Sequence, residues 1–306
     1  MKLSLSTNWC SRTVAAGEEI SDKAAKLGFD ELELGYAATE AQISGVKRRL
    51  DLIPVGSVHA FCPVPISAPN GHPELYRLAD FERENSDFAK FHVLRSADFA
   101  ADIGADTVVL HAGRVGFCGL FDRLDSQKLK ALLNREDGDR LSCRYMKSLS
   151  LAMKRRAERG RKMLERFRPV LGSLLPELEK RKVALALENM PYLEGFPNES
   201  EMAALLNEFA GAPLKAWFDT GHHQVRVNLG WARGHLPFCP DSIAGMHLND
   251  VESISDDHLA PGGGSVDFAA LKDAAAKIPH LVFEPSPDVS EESLGRSLAS
   301  IRGIWE

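Results

Sequence analysis

Short apolar runs recur along the chain, and each is followed by a loop and then by a stretch of helical periodicity. The runs lack strict alternation of apolar and polar positions, which is typical of parallel strands that are covered on both faces. Eight runs predict strands, and their bounds are Lys2–Ser6, Glu31–Gly35, Val55–His59, Thr107–His111, Val183–Glu188, Lys215–Asp219, Ile243–His247 and Leu281–Glu284.

Seven helical stretches lie between or after these strands, at Glu18–Lys26, Glu40–Leu50, Asn85–Ile103, Met146–Arg181, Glu199–Phe209, Phe268–Lys277 and Glu291–Ile301. In the long central helix, apolar residues from Leu164 to Leu178 recur at helical spacing and predict one buried stripe. Pro169 and Pro176 fall inside that helix, and we expect them to bend or break it.

The alternation of strands and helices decides the fold class, because it predicts a parallel sheet. Eight such units favour a closed barrel over an open doubly wound sheet, and no glycine-rich dinucleotide fingerprint follows the first strand. We therefore predict a single α/β domain, a (β/α)8 TIM barrel, over residues 1–306. Long loops, typical of lids or binding loops, follow strands 3 and 4, from Cys62 to about Glu84 and from Gly113 to about Cys143.

Composition predicts a cytoplasmic protein without a membrane segment. The 306 residues carry a net charge of −6, which weighs against a nucleic-acid partner without excluding one. The five cysteines lack CxxC spacing and predict reduced thiols. The N-terminus has no apolar signal segment, and no run approaches the roughly 20 apolar residues of a membrane span.

Positive charge is concentrated in one part of the chain. From Arg114 to Arg168 there are 16 lysines and arginines against 7 acidic residues. A solvated outer helix face explains such a cluster, and a site for phosphate or another anion is the alternative.

Metal-capable side chains stand at the ends of the third to eighth predicted strands, and they are His59, His111, Glu188, Asp219 with nearby His222, His247 and Glu284. Barrel active sites lie where strands end and βα loops begin. A carboxylate buried behind an Ala-Leu-Ala-Leu run, as at Glu188, is costly unless it is paired or binds a metal. Six such strand ends that converge on one mouth predict a centre for one to three divalent ions.

A second polar cluster, Asp256-Asp257-His258, follows the seventh strand and precedes three glycines at Gly262–Gly264. An Asp-x-His pair can clamp one ion, which favours Asp256 together with His258. Asp257 is the competing choice, and a polar turn is the alternative. The glycines would let the backbone turn sharply beneath these ligands.

Three positions are candidates for substrate contacts. His72 lies in the proline-rich loop after the third strand, where an exposed surface role is the alternative. Asn189 follows Glu188 and would either orient that carboxylate or contact substrate. His222 would orient substrate or bind a second ion.

Several segments resemble the xylose isomerase-like barrel superfamily, over about Leu3 to Ile301. They are Ala-Leu-Glu-Asn around Glu188, Asp219-Thr-Gly-His222, His247-Leu-Asn-Asp250, the Asp-x-His-x-x-Pro-Gly-x-Gly segment from Asp256, and the last-strand Glu284. The superfamily includes sugar and sugar-phosphate isomerases and epimerases, and also the endonuclease IV enzymes (AP endonuclease family 2).

The resemblance implies two ligand sets. In the sugar branch, one ion is held by residues that match Glu188, Asp219, His247 and Glu284, and the two glutamates exchange protons with the substrate. In the nuclease branch, three zinc ions are held by residues that match His59, His111, Glu188, Asp219, His222, His247, Asp256, His258 and Glu284.

We therefore expect a divalent-metal-dependent isomerase or epimerase of a small sugar or sugar phosphate, with Glu188 and Glu284 as general acid and base. The ion would be zinc, manganese, magnesium or cobalt. The alternative is a zinc-dependent endonuclease IV-like phosphodiesterase acting on abasic DNA. The acidic chain disfavours it, and so does the lack of the nuclease's aromatic residue three positions after His59.

Two further expectations stay open at this point. A metal-binding barrel with other small-molecule chemistry is the third hypothesis, because fold-level analogy supports no particular substrate. Members of the superfamily often pair, so the resemblance is compatible with a homodimer.

Overall fold

Eight parallel strands close into a barrel in the computed structural model, which describes residues 1–66, 68, 70–115, 125–135 and 138–306. The strands of these residues are β1 (Ser4–Ser6), β2 (Glu31–Leu34), β3 (Val55–His59), β4 (Thr107–Leu110), β5 (Gly113–Arg114), β6 (Ala184–Glu188), β7 (Gly195–Phe196), β8 (Leu214–Asp219), β9 (Ile243–Leu248) and β10 (His280–Phe283). The order around the barrel is β1–β10–β9–β8–β6–β4–β3–β2. The predicted single-domain (β/α)8 barrel is confirmed, whereas its extent over residues 1–306 stays a prediction.

All eight predicted strands are present, with small shifts at their ends. The last strand is His280–Phe283, so Glu284 is the first residue of the loop that follows it. The backbone N–H of Glu284 still donates to Leu248 O at 3.2 Å, which keeps this residue in line with its strand.

The α-helices of the described residues are α1 (Gly17–Leu27), α2 (Glu40–Lys47), α3 (Arg83–Ile103), α4 (Asp125–Arg135), α5 (Cys143–Arg181), α6 (Glu199–Glu208), α7 (Thr220–Asn228), α8 (Lys272–Ala275) and α9 (Glu291–Trp305). Capping boxes set two of the starts, because Thr39 and Asn198 each exchange hydrogen bonds with the residue three positions later. The predicted helix Phe268–Lys277 is shorter than expected, since a 3-10 turn at Ala269–Leu271 precedes α8.

Helix α5 continues through both Pro169 and Pro176, so the expected break is absent. Each proline removes one backbone donor from the helix interior. The stripe that includes Phe167, Leu171 and Leu174 is buried in the barrel core. Burial of side chains this large is worth about 1.5–3 kcal/mol each, which offsets the lost backbone bonds.

The connection after β4 carries more structure than the predicted loop. It contains β5, which pairs antiparallel with β7, and also α4.

Helix α7 was not predicted either, and it begins directly after β8. Its start is set by Asp219, whose side chain accepts a hydrogen bond from the backbone N–H of His222 at 2.6 Å.

A second apolar cluster, separate from the barrel core, lies beside the carboxyl ends of the barrel strands. It packs α4 and the first half of α5 against the loops at the carboxyl ends of β6 and β9, through residues such as Leu149, Leu193 and Val251. The hydroxyl of Tyr145 also donates to Leu229 O at 2.8 Å, which ties α5 to the end of α7.

The long loop after β3 is fastened to the loops after β4 and β6. Nε and Nη2 of Arg114 each lie 2.7 Å from Glu74 Oε2. The hydroxyl of Tyr192 also donates to Glu74, and the guanidinium of Arg114 lies over the Tyr192 ring at 3.9 Å. Three loops at the rim are therefore joined through one buried carboxylate.

The cysteines and the helices can be compared with the expectations from composition. The cysteines of the described residues, Cys10, Cys62, Cys143 and Cys239, are unpaired, and Cys118 lies outside the described residues. In the described part of the chain, no helix is both long and apolar enough to cross a bilayer.

Candidate metal centre at the barrel mouth

Four buried side chains, which we call the inner group, meet at the carboxyl end of the barrel. Glu188 ends β6, Asp219 ends β8, His247 lies in β9, and Glu284 follows β10. Each offers one ligand atom, and these atoms lie within 4.8 Å of one another. Nδ1 of His247 is 3.3 Å from Glu188 Oε1 and 3.1 Å from Glu284 Oε2. The same nitrogen is 3.8 Å from Asp219 Oδ2.

Strand register places Asp219 and His247 of the inner group at one level of the barrel. Asp219 is the register partner of His247 between β8 and β9, and Val282 is its partner between β9 and β10. Because all these strands are parallel, side chains at matching positions project at the same height. Residues far apart in the chain therefore meet at one rim.

Glu188 also belongs to a second group, with His59 and His111. The Nε2 atoms of these histidines lie 3.3 Å and 3.1 Å from Glu188 Oε2. The other oxygen of Glu188 faces His247 at 3.3 Å. One carboxylate thus stands between two groups of ligand atoms.

The third group, which we call the outer group, consists of His222, Asp257 and His258. His222 lies in the first turn of α7, and the other two residues lie in the loop after β9. Nδ1 of His222 is 2.9 Å from Asn189 O, and Nδ1 of His258 is 2.9 Å from Glu284 O. When these nitrogens carry the proton and donate to the carbonyls, the Nε2 atoms are left as ligand atoms.

The structure brings Asp257, and not the favoured Asp256, to the outer group. Asp256 is exposed, and its backbone N–H donates to Ser253 Oγ at 3.1 Å. Asp257 is partly buried and lines the mouth. The loop has a left-handed residue at His258, with φ of 62°, so an Asp-x-His spacing does not fix which carboxylate turns inward.

Two asparagines hold the inner group in place. The side chain of Asn189 donates to Asp219 O at 3.0 Å and accepts from the Asp219 N–H at 2.8 Å. Asn249, which sequence analysis did not single out, donates to Asp219 Oδ2 at 2.8 Å and accepts from the N–H of His258 at 3.2 Å. A Cβ on Gly221 would lie 1.8 Å from Asn249 Oδ1, so only glycine leaves room for this amide.

A cavity of about 270 Å³ opens beside the inner group. The described residues that line it are Asn8, Arg12, Tyr36, Ala37, Asp257, His258, Glu284, Pro285, Ser286 and Pro287. Asn8 was also missed, and its side-chain amide donates to Glu284 Oε1 at 2.9 Å. His72, by contrast, is exposed and accepts from the Glu74 N–H, so the structure does not bring it to this cavity.

Six arginines of the basic segment from Arg114 to Arg168 contact other parts of the chain. Its ion pairs are Arg114 with Glu74, Arg155 with Asp125, Arg156 with Glu201, and Arg168 with Glu208. Arg140 and Arg166 donate to backbone carbonyls. Part of this segment, residues 116–124 and 136–137, lies outside the described residues.

Burial and mutual charge set the ionisation of the site. Burial lowers the pKa of His247, but the carboxylates of Glu284, Glu33 and Glu188 outweigh it and raise that pKa well above its ordinary value. For His222, burial is likewise outweighed by Asp219 and Glu188, which raise its pKa to about 10. Burial opposes ionisation of Glu188, yet His111 and His247 hold its pKa well below its usual range.

The donor set fits a divalent cation. Among the described residues, the cationic partners of Glu188, Asp219 and Glu284 are histidines, not lysines or arginines. Buried carboxylates need such compensation or a metal. In the ion-free chain, protons on the imidazoles supply the positive charge, and a cation bound by the same groups would replace them.

Comparison with known proteins gives a family match over most of the chain. Residues 21–302 match the family described as xylose isomerase-like TIM barrel, AP_endonuc_2. No curated protein sequence matches significantly.

Solved structures share the fold at low sequence identity. A D-tagatose 3-epimerase-like protein has a TM-score of 0.65 and 17% identity, over 100% of this chain and 98% of that chain. The 3-keto-D-glucoside 4-epimerase of E. coli has a TM-score of 0.64 and 15% identity, over 99% of each chain. The TTHB071 protein of Thermus thermophilus, soaked with ZnCl2, has a TM-score of 0.61 and 20% identity, over 99% of this chain and 98% of that chain. At these identities the likeness shows the fold alone.

Proposed function

Since this chain belongs to the xylose isomerase-like TIM barrel family, we propose that it is a divalent-metal-dependent isomerase or epimerase of a small sugar or sugar phosphate. The observation that supports this most is the placement of two glutamates around one point. Glu188 Oε1 and Glu284 Oε2 approach the same His247 nitrogen, at 3.3 Å and 3.1 Å, from different strands. Two carboxylates placed in this way can serve as base and acid for proton transfer next to a carbonyl.

The inner group would hold the ion through three carboxylates and one imidazole. Oxygen-rich sites of this kind suit manganese, magnesium and cobalt, and zinc also accepts such ligands. When bound, the ion would polarise the adjacent carbonyl and hydroxyl oxygens of the substrate and stabilise negative charge there. The zinc-soaked relative is compatible with this choice of ions.

The two glutamates would move the protons. As a carboxylate, one of them takes the proton from the carbon next to the substrate carbonyl. Return of a proton to the opposite face of that carbon gives an epimer, and return to the neighbouring carbon with a proton shift between the oxygens gives an isomer. Burial raises the pKa of Glu188, but His111 and His247 outweigh burial and hold that pKa below its usual range, so this side chain is ionised at neutral pH and is free to accept a proton. Asn8 would hold Glu284 through its bond to Oε1.

The mouth and the similar structures support this substrate class. A cavity of about 270 Å³ suits a small molecule. Similar structures include a D-tagatose 3-epimerase-like protein and a 3-keto-D-glucoside 4-epimerase. Arg12 lines the cavity and is the residue there that would meet a phosphate or another anionic group.

A second candidate is zinc-dependent hydrolysis of a phosphodiester in abasic DNA, and the presence of three ligand groups favours it. Together, the inner group, the outer group and the pair His59 and His111 provide ligands for more than one ion. Clustered ions would generate hydroxide and stabilise the leaving oxygen. The net charge of −6 weighs against a polyanionic partner.

The test is deuterium exchange on sugars by the metal-loaded chain. The purified protein is stripped with a chelator, reloaded with manganese, cobalt, magnesium or zinc, and incubated in D2O with ketoses and ketose phosphates. We expect deuterium to enter the carbon next to the carbonyl, with loss of exchange on chelation. Cleavage of an abasic oligonucleotide by the zinc-loaded chain, without exchange on any sugar, would replace this proposal with the second candidate.

A further inference from the structure

We infer that Glu33 is a positioning residue of the metal centre, and that it holds His247 so that Nδ1 is the ligand atom. This inference rests on the proposed function, because it assigns a role toward the same ion. Glu33 lies on β2, across the barrel from the strand that carries His247, and no motif of the sequence pointed to it.

The contacts of Glu33 form a short buried chain. Its side chain is fully buried, and Oε1 lies 3.0 Å from His247 Nε2. Its other oxygen accepts a hydrogen bond from Ser57 Oγ at 2.9 Å. A carboxylate without solvent needs partners of this kind, so the Nε2–H of His247 is the donor that it engages.

The ring of His247 is also held on its faces. Trp217 packs against it edge to face, with ring centroids 5.0 Å apart and an angle of 66°. His59 lies parallel to it, with centroids 5.8 Å apart and an angle of 4°. Trp217 can occupy this place because residue 245 is glycine, where a Cβ would lie 2.2 Å from the indole. The imidazole therefore has little room to turn its other nitrogen toward the inner group.

These constraints select one tautomer. A neutral imidazole has one N–H and one lone pair, and the bond to Glu33 places the N–H on Nε2. The lone pair is then on Nδ1, which faces Glu188 and Glu284. Partners behind a ligating histidine commonly change metal affinity by about 10–100-fold when they are removed.

The experiment compares Glu33→Gln with Glu31→Gln in the full chain, by titration with Mn²⁺ and Co²⁺ in the absence of substrate. Glu31 lies on the same strand but pairs with Lys2 at 2.6 Å, away from the inner group, which makes it a matched control. We expect Glu33→Gln to bind the ions roughly 10–100-fold more weakly and to change the visible Co²⁺ spectrum. Glu31→Gln should bind like the unmodified chain.

Each outcome has a separate meaning. If the unmodified chain binds Mn²⁺ or Co²⁺ and folded Glu33→Gln binds them equally well, the role of Glu33 is wrong while the proposed function stands. If the metal-loaded chain turns over no sugar but Glu33→Gln still loses affinity, the role of Glu33 stands and the proposed function fails. If Glu33→Gln does not fold, ¹⁵N spectra of the zinc-loaded unmodified chain decide instead. They should show a proton on His247 Nε2, and zinc on Nε2 would overturn the inference.

Discussion

The inner and outer groups differ in how the fold supports them. The ligands of the inner group stand at the ends of barrel strands or one residue beyond, and all four side chains are buried. The outer group combines a helix turn with an irregular loop, and Asp257 and His258 are partly exposed. The inner group therefore rests on barrel strands, whereas the outer group depends on loop conformation.

The side chains of the outer group depend on the inner group. The carbonyls of Asn189 and Glu284 orient the imidazoles of His222 and His258. The backbone N–H groups of the same two histidines also donate hydrogen bonds to side chains at the inner group. Side-chain changes in the inner group should therefore disturb both groups, while a change in the Asp257 side chain, which makes none of these contacts, should leave the inner group intact.

Substitution of Glu188 by Gln should have the largest effect. Glu188 contacts His59, His111, His222 and His247, so its charge serves every group at the mouth. We expect sugar turnover to fall by about 10²–10⁴-fold, the usual range for a lost acid–base residue, and more where metal binding is also lost. Steady-state kinetics with saturating metal measures this loss.

The control for this variant is a folded barrel, checked by circular dichroism and thermal unfolding. Glu208→Gln is a matched change at the surface, where the side chain pairs only with Arg168 in the described contacts, and it should leave turnover unchanged. Turnover that survives Glu188→Gln would remove this residue from the proton transfer.

Substitution in the outer group should have a smaller effect. We expect Asp257→Asn to weaken binding of a second ion, or of substrate, by roughly tenfold, the lower end for a lost contact at a metal site. The inner ion should remain, because the hydrogen bonds described for the inner group do not include the Asp257 side chain. Metal content by mass spectrometry of the intact protein and KM for the sugar measure the two effects.

Asp256→Asn is the matched comparison, since it makes the same change one residue earlier at an exposed position. It should alter neither metal content nor KM. Equal losses in both variants would place the two aspartates in one site and contradict the geometry described above. Loss of the inner ion in Asp257→Asn would show instead that the inner group depends on this side chain.

The barrel and its inner group could be predicted because both depend on patterns that the sequence displays. Buried parallel strands leave apolar runs, and the last residue of each run marks the rim. Glu188, Asp219 and His247 were found in this way, and Glu284 one residue beyond its strand. Helix α7 was not predicted because its nine residues lack an apolar stripe and because its start depends on a cap by Asp219.

Of the residues that hold the inner group, Asn189 was a candidate from the sequence, but three others were not. Asn8, Glu33 and Asn249 contact the inner group across 30 to 276 positions of the chain. Glu33 sits in a strand of alternating Glu and Leu that carries no sign of a buried carboxylate. The choice between Asp256 and Asp257 also depended on loop geometry, which spacing does not encode.

The smallest effect that separates the two groups should appear in the pH dependence of stability. Burial lowers the pKa of His222, but Asp219 and Glu188 raise it to about 10 in the folded, metal-free chain, above roughly 6.5 in the unfolded chain. Its contribution to stability is therefore complete below about pH 6.5 and is lost as the pH rises through about 10. We expect the Tm of chelated protein to fall from about pH 7 to about pH 10, and we expect His222→Asn to flatten part of this fall. Thermal unfolding at stepped pH measures the Tm of the two proteins. Saturating metal should reverse the trend, because cation binding displaces these protons. Parallel curves for the two proteins would show that His222 does not hold a proton in the folded, metal-free chain.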